Sequence, residues 1–311
     1  MYKEVFDFYD KTSLKSYNLD ESMRYQLNML DSLDVFTRKH SENVANLTCR
    51  LCGYLHCSAN FTKYATICAY LHDIGKMFIP SKILQKPGKL TDEEYEVMKT
   101  HTTLGYNMCM QDHKLQPYAA GPLYHHEALN GSGYPKGLTQ KEIPYVGQII
   151  RVADEFDAIV SKRQYKSHVG ISDTLKILID NSHPSQSSAL TEMTDSAKLG
   201  KINPKVLKAL FKVVIDDTEY EIFCISGYVD YLKKEIKRLE QIVKYDIERQ
   251  KAKKEKDQNY YLEGMKMLLA EGETLENYQK ILEEYENAYK MRTGVIDKLN
   301  HEIKTIKKLK I

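Results

Sequence analysis

An all-α fold is predicted for this chain: a helical bundle followed by a long C-terminal helical or coiled-coil region. Three observations predict it. Apolar residues recur at steps of three and four from about Leu33 onward. No alternation of strand type and useful length precedes residue 210. The last third carries a heptad seam with charged flanks. The length of 311 residues suits two domains, or one large domain plus an extension. We divide it into an N-terminal helical extension (1–32), a bundle domain (33–225) and the C-terminal helical region (226–311).

Val44, Leu47, Leu51 and Leu55 mark one face of the first bundle helix, and Tyr64 to Leu71 form a second apolar segment. Between Ile79 and Leu90, Pro80, Pro87 and Gly88 predict a loop. Thr91-Asp92-Glu93-Glu94 is a capping box that opens a helix through Met98 to about Met108. Asn130-Gly131-Ser132-Gly133-Tyr134-Pro135 reads as a loop, and Ile149 to Val160 as helix again. Val213 to Ile215 and Tyr220 to Phe223 read as a short β-hairpin. The tail steps through Val229, Leu232, Ile236, Leu239 and Val243, slips in phase near Gln250 to Asp257, and resumes from Leu275 to Ile306. A coiled coil is the favoured reading, with a helical hairpin as the alternative. Gly264, Gly272 and Gly294 weaken the helix locally.

Composition narrows the function classes. The chain is 42% hydrophobic and 28% charged, with a net charge of +2, so it carries no large field for polyanions. The basic last turn, Lys304 to Lys310, reads as a solvated helix face. No run reaches the roughly 18–20 apolar residues a membrane span needs, and the acidic, aromatic start lacks signal-peptide character. A cytoplasmic location is expected, with the six cysteines as thiols. Cys49-x-x-Cys52 lacks a second pair and reads as core thiols.

Chemistry concentrates in His72-Asp73-Ile74-Gly75-Lys76, set inside an apolar run. An ionised carboxylate in a core needs a partner or a metal. An HD dipeptide is common, but this one has company. His40 and His101 lie on neighbouring helices, His125-His126 precede the Gly-rich loop, and Asp154 lies on the helix after it. Imidazoles and carboxylates in such number exceed what one four-coordinate zinc takes, so two metals are expected. Paired cations suit phosphoester hydrolysis.

These residues resemble the HD-GYP family of bacterial cyclic di-GMP phosphodiesterases. The matching elements are His72-Asp73-x-x-Lys76, Lys86-Pro87-Gly88-Lys89-Leu90-Thr91, His101 and His125-His126-Glu127. Asn130-Gly131-x-Gly133-Tyr134-Pro135, Ile143-Pro144, Val152-Ala153-Asp154-x-Phe156-Asp157 and Arg163-x-Tyr165-Lys166 follow in the family's order, over about residues 35–215. The resemblance implies an HD-type helical bundle. It implies hydrolysis of cyclic di-GMP by a metal-bridging hydroxide to linear pGpG, with a further step to GMP as the alternative. As metal ligands it implies His40, His72, Asp73, His101, His125, His126 and Asp154, with Asp73 bridging two divalent ions, Fe or Mn. Asp73 and Lys76 take catalytic places, the lysine beside the scissile phosphate. Arg163, Lys166, Tyr134 and Gly133 take substrate-binding places. Where some members carry a glutamate that helps hold a third metal, this chain has Phe36, which favours a binuclear centre.

Other readings stay open at this point: a cyclic di-GMP receptor or scaffold, and a hydrolase of cyclic GMP-AMP or another nucleotide. A homodimer through the C-terminal coiled coil is expected, without a nucleic-acid polymer as partner. With about 35 residues ahead of the matching segment, regulation is expected from the C-terminal helices, dimerisation or metal redox state. His56, His113, His168, His183 and His301 match no motif and read as structural.

Overall fold

Helix-forming periodicity sets the architecture, and in the computed structural model the described residues (35–160, 170–184 and 199–310) contain helices and turns, with one isolated β-bridge, Asn130 to Thr139. They fall into two compact units, divided between Val214 and Ile215. The N-terminal extension, residues 1–32, lies outside the described residues.

The first unit is the bundle. Helix α1 (Val35–Tyr54) packs against α2 (Ala59–Leu71) and against α7 (Tyr145–Val160). Val44, Leu51, Ala65 and Ile149 bury their side chains in this layer. Ser58 caps α2 by accepting from the Phe61 amide. After α2 the chain tightens into a 3-10 turn, Ile74–Phe78, that lies against α5 (His101–Gln111). Ile67, Leu71, Ile74, Cys109, Leu115 and Ala119 form the core there. The stretch expected to be all loop contains a single helical turn, α3 (Ser81–Leu84). Pro80 precedes it and supplies the carbonyl that the Ile83 and Leu84 amides bond.

The capping box is present: Thr91 accepts from the Glu94 amide and Glu94 accepts from the Thr91 amide. It opens α4 (Asp92–Lys99). The single helix expected through Met108 is divided at Thr100 into α4 and α5. The Thr100 amide bonds Val97 three residues back, and its hydroxyl donates to the same carbonyl. The short α6 (Ala120–Tyr124) ends at the His125-His126 pair. Helix α7 begins earlier than expected, at Tyr145, directly after Pro144. Helix α8 (Ile171–Ser182) completes the bundle with the first turns of α9 (Pro204–Lys251).

The expected β-hairpin is absent, because Val213 to Ile215 and Tyr220 to Phe223 lie within α9. Leu207, Leu210, Val213 and Val214 are buried at helical spacing, so one packed face outweighs the β-branched preference for strands.

Gly75 is where the 3-10 turn and α5 touch. A Cβ there would lie 1.9 Å from the His101 carbonyl oxygen and 2.5 Å from the Gly105 amide nitrogen. Both are backbone atoms that cannot turn aside. Gly75→Ala is expected to destabilise the fold by at least ~1–3 kcal/mol, read as a lowered urea midpoint.

The second unit, Ile215–Lys308, comprises the rest of α9, α10 (Glu255–Leu268) and α11 (Tyr278–Lys308). The phase slip expected near Gln250 to Asp257 is the break between α9 and α10. Helix α11 runs antiparallel to α9. Lys307 Nζ pairs with Glu219 Oε1 at 3.1 Å, and Tyr278 Oη donates to Asp246 Oδ2 at 3.3 Å, so rising numbers on one helix meet falling numbers on the other. Leu239, Ile242, Met265 and Tyr278 form a core with Leu282 and Tyr285 against it. The heptad seam is therefore filled by the chain's own helices. Arg238 forks onto both Glu273 oxygens at 2.6 and 2.7 Å and donates to the Leu268 carbonyl, closing the α10–α11 loop. Among the described residues no helix is long and apolar enough to cross a membrane.

Candidate metal centre

His40 comes from α1, His72 and Asp73 from the end of α2, His101 from the first turn of α5, His125 and His126 from the end of α6, and Asp154 from α7. The bundle brings all seven together. His40, His72 and Asp73 place ligand atoms within 4.8 Å of one another, and so do His101, His125 and His126. Asp73 turns one oxygen to each group. Its Oδ2 lies 3.3 Å from His72 Nε2 and 3.7 Å from His40 Nε2. Its Oδ1 lies 3.4 Å from His101 Nε2 and 3.9 Å from His125 Nε2. Asp154 Oδ1 is 2.9 Å from His40 Nε2, and its Oδ2 is 4.0 Å from His126 Nδ1.

The local fold sets the tautomers. His72 Nδ1 donates to the Ala69 carbonyl at 2.6 Å, and His101 Nδ1 to the Met98 carbonyl at 2.7 Å. His125 Nδ1 is shared between the Gly121 and Pro122 carbonyls at 3.0 and 2.9 Å. Carbonyls only accept, so each ring carries its proton on Nδ1 and turns the Nε2 lone pair inward. Such an outer hydrogen bond is what orients a ligating imidazole.

Burial drives the His101 pKa down. It drives His125 well down, aided by the neighbouring His126, and takes His126 to about 3. Burial alone would raise the Asp73 carboxyl, but Lys76 Nζ at 2.5 Å and the adjacent His72 hold it well below its usual range. Asp154 is likewise penalised by burial yet held low by His40. His40 is the exception among the imidazoles. Burial opposes its charge, but hydrogen bonds to Asp154 and Asp157 raise it to about 9.

This donor set fits divalent cations. His72 Nε2 and Asp73 Oδ1 are buried without a hydrogen-bond partner. His101 Nε2 and His125 Nε2 face each other at 3.2 Å, two lone pairs with no proton between them. Left alone these atoms cost free energy, and cations supply what they lack. At His40 a cation on Nε2 replaces a proton, and the Nδ1 bond to Asp157 Oδ2, at 2.7 Å, continues to orient the ring.

Three residues support the site: Asp157 and Glu127, which lie in the motifs but were given no role by sequence reasoning, and Arg151, which directly precedes one. Asp157 holds His40 and also accepts from Asn43 Nδ2 at 3.0 Å. Its spacing of three from Asp154 on α7 was the available signal. Glu127 is buried and accepts the Lys136 and Leu138 amides at 2.7 and 2.8 Å, fastening the signature loop. Arg151 Nη1 donates to the His126 and Glu127 carbonyls, and Nη2 pairs with Glu155 at 2.6 Å. Asp157→Ala is expected to weaken metal retention about 10–100-fold, measured as metal content after dialysis against graded chelator.

Tyr134 stacks on His126, centroids 4.6 Å apart and planes at 25°. A Cβ on Gly133 would come within 2.2 Å of the Ala128 amide nitrogen, so the loop requires glycine to lie this close. Arg163 and Lys166 lie outside the described residues.

Residues 24–186 match the family model described as HD domain. The chain is 47% identical over 144 residues to a cyclic di-GMP phosphodiesterase of Thermotoga maritima, covering 45% of this chain and 39% of that protein. It is 49% identical over 100 residues to the cyclic di-GMP phosphodiesterase response regulator RpfG of Xanthomonas campestris, covering 32% and 26%. To the 3'3'-cGAMP-specific phosphodiesterase 1 of Vibrio cholerae it is 34% identical over 154 residues, covering 49% and 35%. The chain thus spans 26–39% of the length of these relatives. Among solved structures, the HD domain of the Listeria monocytogenes phosphodiesterase PgpH in complex with cyclic-di-AMP aligns with a TM-score of 0.43 at 17% identity, over 61% of this chain and 94% of that one.

Proposed function

The chain belongs to the HD domain family and carries the motifs of its HD-GYP branch, and from this premise we propose that it is a metal-dependent cyclic-dinucleotide phosphodiesterase opening cyclic di-GMP to linear pGpG. The observation that carries the reading is Asp73, buried between two imidazole groups with one oxygen turned to each. Two divalent ions, Fe or Mn, bound there would polarise a phosphodiester and supply a nucleophilic water at neutral pH.

The chain's own residues do the rest. His72, Asp73 and His40 would hold one ion, and His101, His125 and His126 the other, with Asp154 reaching from α7 toward His40 and His126. Carbonyl-fixed rings keep the Nε2 lone pairs aimed inward at no reorganisation cost. Lys76 places an ammonium beside Asp73, where charge grows on the phosphate or on the leaving oxygen. Tyr134, against His126, shapes the substrate side, and Gly133 keeps the loop close. Arg163 and Lys166 would grip phosphate or guanine, one as a fork and one as a point charge.

The cyclic GMP-AMP reading is favoured by one observation, that relatives at 34% and 35% identity are named 3'3'-cGAMP-specific phosphodiesterases. Product chromatography separates the two. Protein purified without oxygen is incubated with each cyclic dinucleotide, with Mn or Fe(II), and with chelator. Metal-dependent linear product from cyclic di-GMP supports the proposal, and product from cyclic GMP-AMP alone moves the substrate. No turnover of either, with two ions bound per chain, removes the enzyme reading for these substrates and leaves a receptor or a hydrolase of another nucleotide.

A further inference from the structure

Resting on that reading, we infer that Tyr95 and Lys99 of α4 form a substrate-gripping rim, Tyr95 as a stacking platform for a nucleobase and Lys99 as a contact for the adjoining phosphate. The access side follows from exposure. His126 has a side chain 26% exposed, whereas His40, His72, His101 and His125 range from 0 to 11%. A substrate therefore approaches the centre over His126. Tyr134 lies stacked on that ring, and Tyr95 meets Tyr134 edge-on at 6.4 Å with planes at 81°.

The three groups form one assembly. Lys99 Nζ sits 5.4 Å from the Tyr95 ring centroid and 5.8 Å from that of Tyr134. Tyr95 is 47% exposed, so much of the ring is open to solvent and to a ligand. A flat aromatic face beside an ammonium suits a ligand that is at once planar and anionic. Nucleotides meet that description, and base stacking tolerates any base. Lys99 Nζ pairs with Glu96, whose Oε1 lies at 2.6 Å and whose side chain is largely exposed. Exposed pairs of this kind hold weakly and yield to a phosphate. Helix α4 is anchored by the capping box and by Lys86 on Glu94, so the rim is carried by a fixed element.

The chain contains no tryptophan, so Tyr95→Trp introduces a single tryptophan at the platform, excited selectively at wavelengths beyond tyrosine absorption. The metal-loaded variant is expected to show saturable quenching by cyclic di-GMP and by linear pGpG. In parallel, Tyr95→Leu is expected to raise KM about 5–100-fold, and Lys99→Met about tenfold. In both, kcat changes far less and metal content stays at the wild-type value, and Lys99→Arg restores most of the affinity. Unquenched fluorescence with KM unchanged in Tyr95→Leu and Lys99→Met overturns the rim. A fall in kcat at constant KM also overturns it, since these residues would then act through His101 or His126. A wild-type enzyme that hydrolyses neither cyclic dinucleotide overturns the parent reading. Quenching that still saturates there retains the rim for a bound nucleotide, and its absence removes both.

Discussion

Asp73→Ala is expected to lower phosphodiesterase kcat by at least ~10³-fold and to reduce bound metal below two ions per chain. Asp73 is buried between the two imidazole groups with one oxygen turned to each, at 3.3 Å from His72 and 3.4 Å from His101. Its removal takes away the carboxylate that would hold ions at both imidazole groups. Asp154 also reaches one member of each group from α7, His40 at 2.9 Å and His126 at 4.0 Å, but it lies farther from the second group than Asp73 does and cannot restore the lost contacts to His72 and His101. Asp73→Asn keeps the shape and one carbonyl oxygen, and an intermediate loss of metal is expected. Metal content by mass spectrometry and product formation, measured on the same preparation, check both variants. Full activity in Asp73→Ala would end the binuclear reading.

Lys76→Met is expected to lower kcat by roughly 10²–10³-fold while leaving both ions in place. The lysine follows Asp73 by three residues in the 3-10 turn, and its Nζ reaches Oδ2 at 2.5 Å. Bound cations would compensate Asp73 and leave the Lys76 ammonium available to the phosphate. In chelated protein Lys76 is the cation nearest a fully buried carboxylate, and its loss leaves an uncompensated charge. The variant should therefore melt at a lower temperature than wild type in chelator, with the gap narrowing when Mn is restored. Unchanged kcat would leave Lys76 as an ion-pair partner alone.

Of the seven candidate ligands, His72 and Asp73 stood out in the sequence because their residue types are costly in an apolar run, and the roles of the other five came from the family resemblance. An imidazole or carboxylate inside a run such as Ala69-Tyr70-Leu71 needs a reason, and several such residues within one segment need a common one. The capping box at Thr91 was legible for a local reason, since its two hydrogen bonds depend on four consecutive residues. What was not legible depends on tertiary contact. The Val213 to Ile215 run satisfies strand propensity, and only the packed face shared with Leu207 and Leu210 makes it helix. The division at Thr100 cannot be read from a threonine alone, because it follows from how α5 must sit to present His101. Asp157 and Glu127 were visible as letters. Their roles appear once His40 and the loop amides are placed beside them.

The antiparallel return of α11 along α9 changes what dilution should do. A seam closed between two chains gains stability from protein concentration, about 1.4 kcal/mol per tenfold, because association is bimolecular. A seam closed within one chain has no such dependence, since its partner arrives at the fixed effective concentration set by the connecting segment. The Arg238–Glu273 fork holds that connection at the α10–α11 loop. The melting of the second unit is thus expected to be unimolecular, with the same thermal midpoint at nanomolar and at micromolar protein, and a midpoint that rises with concentration would show that a second copy contributes to the seam.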